Sequence, residues 1–165
     1  MDEYKILTEI IEHCLWIDRR ACTIYYKFAK NTKNKELKNK WLQRSAEEKD
    51  HIFFWEKALE LAQKKHLPLI FKDFEEVRRK ISKAHNTIEK ITNQFVKYDT
   101  YSEQLTLAFM LETYMLHPTF MVMFHDYSFI NDDIGKNYEK HILSFIDMIR
   151  NFKGDLNMLH VDLFC

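Results

Sequence analysis

Apolar residues return every three or four positions along most of this chain, which is the spacing of amphipathic helices rather than strands. The first segment runs from about Tyr4 to Lys30, with Leu7, Ile11, Cys14, Asp18, Ala21, Tyr25 and Phe28 on one stripe. The second runs from about Lys35 to Lys65, with Leu37, Trp41, Glu48, Ile52, Trp55, Leu59 and Ala62. The polar run NTKNK between them is a short solvated turn, so the two should be antiparallel neighbours. Pro68, in HLPLIF, breaks the second helix.

The third segment, about Asp73 to Tyr98, carries Phe74, Val77, Ile81, Ala84, Ile88, Ile91, Phe95 and Tyr98 at alternating spacings of three and four, with polar residues between. One narrow stripe means one buried face. The helix is either laid along a bundle or a coiled-coil seam for a partner chain, a homodimer being the candidate. A fourth segment runs from Ser102 to about Phe129, with Leu105, Ala108, Glu112, Met115, Thr119 and Val122 in register and a kink expected near Tyr114 from Pro118. The fifth starts near Asn131 and stops before Gly154, with Tyr138, His141, Phe145, Met148 and Phe152 on its stripe. The tail DLNMLHVDLFC is partly apolar and is expected to dock.

Composition narrows the fold class to all-α. Two Gly and two Pro in 165 residues are too few for the turns of a sandwich, barrel or wound α/β fold. The segments predict a single domain over 1–165, a four-helix bundle with a long helical crossover between its second and third helices. Basic and acidic residues cancel at 25 each, which leaves no electrostatic footprint for nucleic acid. No uncharged apolar run reaches the roughly 18 residues of a membrane span, and the acidic start MDEYKILTEIIEH is unlike a signal peptide. Cys14, Cys22 and Cys165 form no C-x-x-C pair, which argues against a disulfide framework, a structural zinc site and a rubredoxin-like iron centre. A cytoplasmic location is the expectation.

The informative residues are those that violate the apolar pattern. Asp18, Glu48, Glu112 and His141 each fall on the stripe of a different helix, and His51 lies three residues after Glu48 on the same face. Each has an ordinary reading. Asp18 could pair with Arg19 or Arg20, Glu48 could belong to the solvated stretch AEEKDH, and His141 could be a satisfied core histidine. Glu112, in LTLAFMLETYML, is the hardest to expose. Burying several carboxylates together is costly without compensation, and a cation with hard oxygen and imidazole ligands compensates. The other histidines, His13, His66, His85, His117, His125 and His160, show no H-x-x-x-H spacing.

These residues resemble the ferritin-like superfamily, and within it the rubrerythrin-like branch. Asp18, Ala21 and Tyr25 fill the first-helix frame of a carboxylate, a small residue and an aromatic. Ala46, Glu48, His51 and Trp55 fill the second-helix frame around E-x-x-H. Glu112, in LAFMLE, matches the lone third-helix Glu, and His141 keeps the histidine of the fourth-helix E-x-x-H. The chain departs where Asp18 replaces a Glu and Tyr138 replaces the fourth-helix Glu.

The resemblance implies iron, mononuclear or dinuclear, held by Asp18, Glu48, His51, Glu112 and His141, with another divalent metal as an alternative. Tyr138 would be either a phenolate ligand or a hydrogen-bonding partner of a ligating carboxylate. The implied chemistry is oxidation of Fe(II), or reduction of dioxygen or peroxide by an oxidoreductase using an external electron donor. The alternative is a helical bundle, metal-binding without turnover or metal-free, that acts by dimerisation or partner binding.

Overall fold

The structure is a computed structural model and describes residues 2–94 and 100–151. Among these residues it contains six α-helices and no strand: α1 (Glu3–Asn31), α2 (Lys35–Gln63), α3 (Phe74–Gln94), α4 (Tyr101–Met115), α5 (Pro118–Asp126) and α6 (Ile134–Asn151). Phe95, Tyr98, Phe152, the expected stop before Gly154, the docking of the tail and Cys165 lie outside the described residues.

The first two helices begin on side-chain caps. The Tyr4 N–H donates to the Asp2 carboxylate at 3.1 Å, and the Leu37 N–H to the Asn34 side chain at 3.1 Å. Only residues 32–34 separate α1 from α2, so the chain reverses and the two pack antiparallel across the largest helix interface among the described residues. Helix α2 ends two residues before the expected Lys65. The Lys65 N–H bonds to the Ala62 carbonyl and the His66 N–H to the Leu61 carbonyl. Lys65 takes φ 58°, the left-handed position usually given to glycine.

Helix α3 lies against α1 and runs parallel to it. Arg78 Nη1 donates to Glu9 Oε2 at 2.9 Å, His13 Nδ1 meets His85 Nδ1 at 2.8 Å, and Arg20 donates to Thr92 and Asn93, each at 2.8 Å. The numbers rise together on both helices. Phe74, Ile81, Ala84 and Ile88 are buried, with Val77 and Ile91 half-buried. The heptad stripe is therefore covered within the chain, as in a helix laid along a bundle.

The expected fourth segment is two helices rather than one kinked helix. Pro118 has no N–H to continue the ladder and disfavours helical backbone at His117, so α4 stops at Met115. Pro118 then occupies the first turn of α5, where its missing N–H costs nothing. The two helices bend by 57° at the break. The start of α4 is also earlier than Ser102. Thr100 and Glu103 form a capping box, each side chain bonding the other's backbone N–H. Among the described residues no single helix is long and apolar enough to cross a membrane.

Helices α1, α2, α4 and α6 surround an interior layered along its length. Tyr25, Phe28 and Trp41 form one aromatic layer, with the Tyr25 and Trp41 rings stacked 5.7 Å apart. Phe54, Trp55, Phe120 and Phe124 form another. All seven are fully buried. The polar residues of the stripes lie between these layers.

Candidate metal centre

Five ionisable side chains from four helices meet in the interior. Asp18 comes from α1, Glu48 and His51 from α2, Glu112 from α4 and His141 from α6, and none is more than 4% exposed. They form two groups, Asp18–Glu48–His51 and Glu48–Glu112–His141. Within each group, one ligand atom from every residue lies within 4.8 Å of the others. Glu48 belongs to both. One turn of helix separates Glu48 from His51 and points them the same way, so α2 supplies the shared residue and one imidazole together.

In the first group, the Trp55 indole N–H donates to Asp18 Oδ2 at 2.6 Å. His51 Nδ1 lies 3.1 Å from Glu48 Oε2 and 3.9 Å from Asp18 Oδ2. Burial, with the Glu48 carboxylate alongside, lifts the Asp18 carboxyl to about 8. Burial works against charge on His51, but Glu48 and Asp18 outweigh it and raise the imidazole above its ordinary value.

In the second group, His141 Nε2 lies 2.9 Å from Glu112 Oε2 and 3.5 Å from Glu48 Oε1. The Tyr25 hydroxyl donates to Glu112 Oε1 at 2.7 Å. His141 Nδ1 lies 2.9 Å from Glu47 Oε2, and Arg44 Nη1 donates to the His141 carbonyl at 2.8 Å. Burial pushes Glu112 up, but the His141 imidazole, Arg44 and the Tyr25 hydroxyl bring it below its usual value. Burial opposes a charge on His141, yet Glu112, Glu47 and Glu48 together raise it to about 10.

Glu47 and Arg44 have no place in the sequence reading. Arg44 is four residues before Glu48, on the same face, so helical spacing could have found it. Glu47 is one residue off the face and reaches His141 from the side. Ala46, which fills the small position of the second-helix frame, is exposed.

Tyr138 is buried beside the centre, its ring parallel to that of His141 at 6.3 Å between centroids. Its hydroxyl donates to the Met115 carbonyl, not to a carboxylate. The break before Pro118 leaves that carbonyl without a helical partner, and Tyr138 supplies one from α6. This corrects the expected hydrogen bond to a ligating carboxylate. Burial, with Asp18 nearby, pushes the metal-free phenol well above its usual value.

The donor set suits a cation that prefers oxygen and imidazole. Asp18 Oδ1 and Glu48 Oε1 are buried with no hydrogen-bond partner. Buried polar atoms are nearly always satisfied, and a shared cation would satisfy both. No family model matches the chain, and no curated protein is significantly similar to it.

Proposed function

We propose that this protein is a ferritin-like metal protein that binds iron at two adjacent positions and oxidises Fe(II) with an oxygen-derived oxidant. The reading is supported above all by one observation: two ligand groups sharing Glu48, with carboxylate oxygens of Glu48 and Asp18 left buried without a hydrogen bond. Asp18, Glu48 and His51 would hold one ion, and Glu48, Glu112 and His141 the other. Bound iron would supply one electron per ion, so that two ions convert dioxygen and two protons into hydrogen peroxide.

The chain's own residues fix the ligands and keep the centre dry. Trp55 orients Asp18, Tyr25 orients Glu112, and Glu47 orients the His141 ring through Nδ1. The aromatic layers on either side exclude water, so the carboxylates act at full strength on bound charge. Sustained turnover with peroxide would require an external electron donor.

The test is anaerobic titration with Fe(II), followed by admission of oxygen. The expected result is two ions bound per chain and a ferric absorption rise, both abolished in Glu48→Ala. Wild-type protein that binds no iron would overturn the proposal. Iron that binds but stays ferrous in oxygen would favour metal binding without turnover.

A further inference from the structure

Two cavities lie along one face of α6, one beside its N-terminal half and one further along it, and their chemistry differs. One, of about 280 Å³, opens between α5 and α6. Its mouth is polar, with His125, Asp132 and Glu139, and its lining includes Phe124 and Tyr138 but none of the five ionisable residues. Phe124 packs 4.9 Å from the Tyr138 ring and 5.3 Å from the His51 ring, so aromatic side chains stand between this cavity and the centre.

The other cavity lies between α4 and α6 and holds about 80 Å³. Its walls are apolar: Phe109, Leu116, Ile142, Phe145 and Ile149. Thr113 and Ile146, both exposed, belong to its outer part. Glu112, itself buried, also lines it. This cavity therefore lies between exposed residues and the buried Glu112, with almost wholly apolar walls.

We infer that the α4–α6 cleft is the path by which dioxygen, rather than hydrogen peroxide, reaches Glu112 and the ions beside it. The inference rests on the proposed iron oxidation and names the oxidant that site takes. A wall this poor in hydrogen-bonding groups asks a hydrated cation or a peroxide to shed water with little replacement. Dioxygen gives up no hydrogen bonds there. The volume exceeds the roughly 30 Å³ that one water occupies, and apolar cavities can take up xenon.

Xenon, an apolar probe that needs no metal, tests the cleft directly. In metal-free protein with isoleucine methyl labels, xenon should shift the resonances of Ile142, Ile146 and Ile149, and the shifts should vanish in Ile146→Trp. In iron-loaded protein, Ile146→Trp should slow oxidation by dioxygen roughly tenfold, as when access limits the rate. Oxidation by added peroxide and the iron stoichiometry should be unchanged. Thr113→Trp, across the cleft on α4, should act likewise and serves if the first variant misfolds. Absent xenon shifts, an unchanged dioxygen rate, or equal slowing with both oxidants would each overturn the inference. Wild-type protein that binds no iron would instead overturn the proposed function, while the xenon result would still decide whether the cleft is a gas-accessible path.

Discussion

The groups Asp18–Glu48–His51 and Glu48–Glu112–His141 use the same donor types, share one residue and are equally buried. They differ in how their charges are met. Glu112 faces His141 at 2.9 Å and takes a hydrogen bond from Tyr25, so its negative charge is answered by the protein. Asp18 takes the Trp55 N–H at 2.6 Å and has the His51 imidazole at 3.9 Å, and its other oxygen has no hydrogen-bond partner. Burial therefore lifts Asp18 to about 8, while Glu112 is held low. Glu112 therefore keeps its charge without a cation, while the surroundings of Asp18 favour its neutral acid. The buried acid of the first group is a standing cost to the fold, and the ion pair of the second is a support.

The largest break in this comparison is Glu48→Ala, because Glu48 serves both groups. It should abolish binding at both positions, an effect beyond the 10–100-fold typical of losing a supporting residue. Titration should show no ions per chain; retention of either would show that Glu48 is not shared.

Next come Asp18→Asn and Glu112→Gln, which should change metal-free stability in opposite directions. Asp18 has a folded pKa of about 8 against a reference of 3.8. Its contribution is fully present below about 3.8, is lost as pH rises, and is gone above about 8. Asparagine keeps an acceptor for Trp55 and carries no such loss, so Asp18→Asn should be more stable than wild type at pH 8 by several kcal/mol. Glu112→Gln removes one of the three carboxylates around His141, leaving Glu47 and Glu48, and should destabilise by about 1–3 kcal/mol. Chemical denaturation at that pH decides; a shared sign would show that the two groups are electrostatically alike.

Smaller effects sharpen the contrast. Glu47→Gln should weaken only the Glu48–Glu112–His141 position, by about 10–100-fold, since Glu47 orients His141 alone. Equal weakening at both positions would break the distinction. Tyr138→Phe should cost about 1 kcal/mol of stability, from an unpaired Met115 carbonyl. Its metal affinity and visible spectrum should match wild type; a lost absorption band would restore Tyr138 as a ligand.

Much of this arrangement was legible in the sequence, for reasons that differ by element. Helix α1 is long and packs against α2, α3 and α4, so its whole expected stripe is buried, Asp18 included. Helix α2 faces α1 and α6 together, and its buried face is broader than the expected stripe. Phe54, Ala58 and Arg44 are buried, while Ile52 and Leu59 are only half-buried. Periodicity along one helix carries no information about how many neighbours that helix has. Pro118 was visible, but whether a proline kinks a helix or divides it depends on partners for the freed groups. Here Tyr138 and the first turn of α5 supply them. Glu47 was hidden because its partner His141 is 94 residues away.

The contact between His13 and His85 makes α1 respond to acid in two opposite ways. A single proton can bridge two imidazoles, but a second puts N–H against N–H. Burial holds both rings below their ordinary value despite Glu9 and Glu12 around His13 and Glu89 beside His85; Arg78 adds to the depression at His13. Their contribution is present above about 6.5 and is lost as pH falls through the lower folded values. Over that same descent Asp18 regains stability. Acidification therefore loosens the seam between α1 and α3 while tightening the one between α1 and α2. The protein should cease to open as one cooperative unit. Amide hydrogen exchange, corrected for intrinsic rates, should show α3 losing protection relative to α2 between pH 7.5 and pH 5, with His85→Phe removing the divergence.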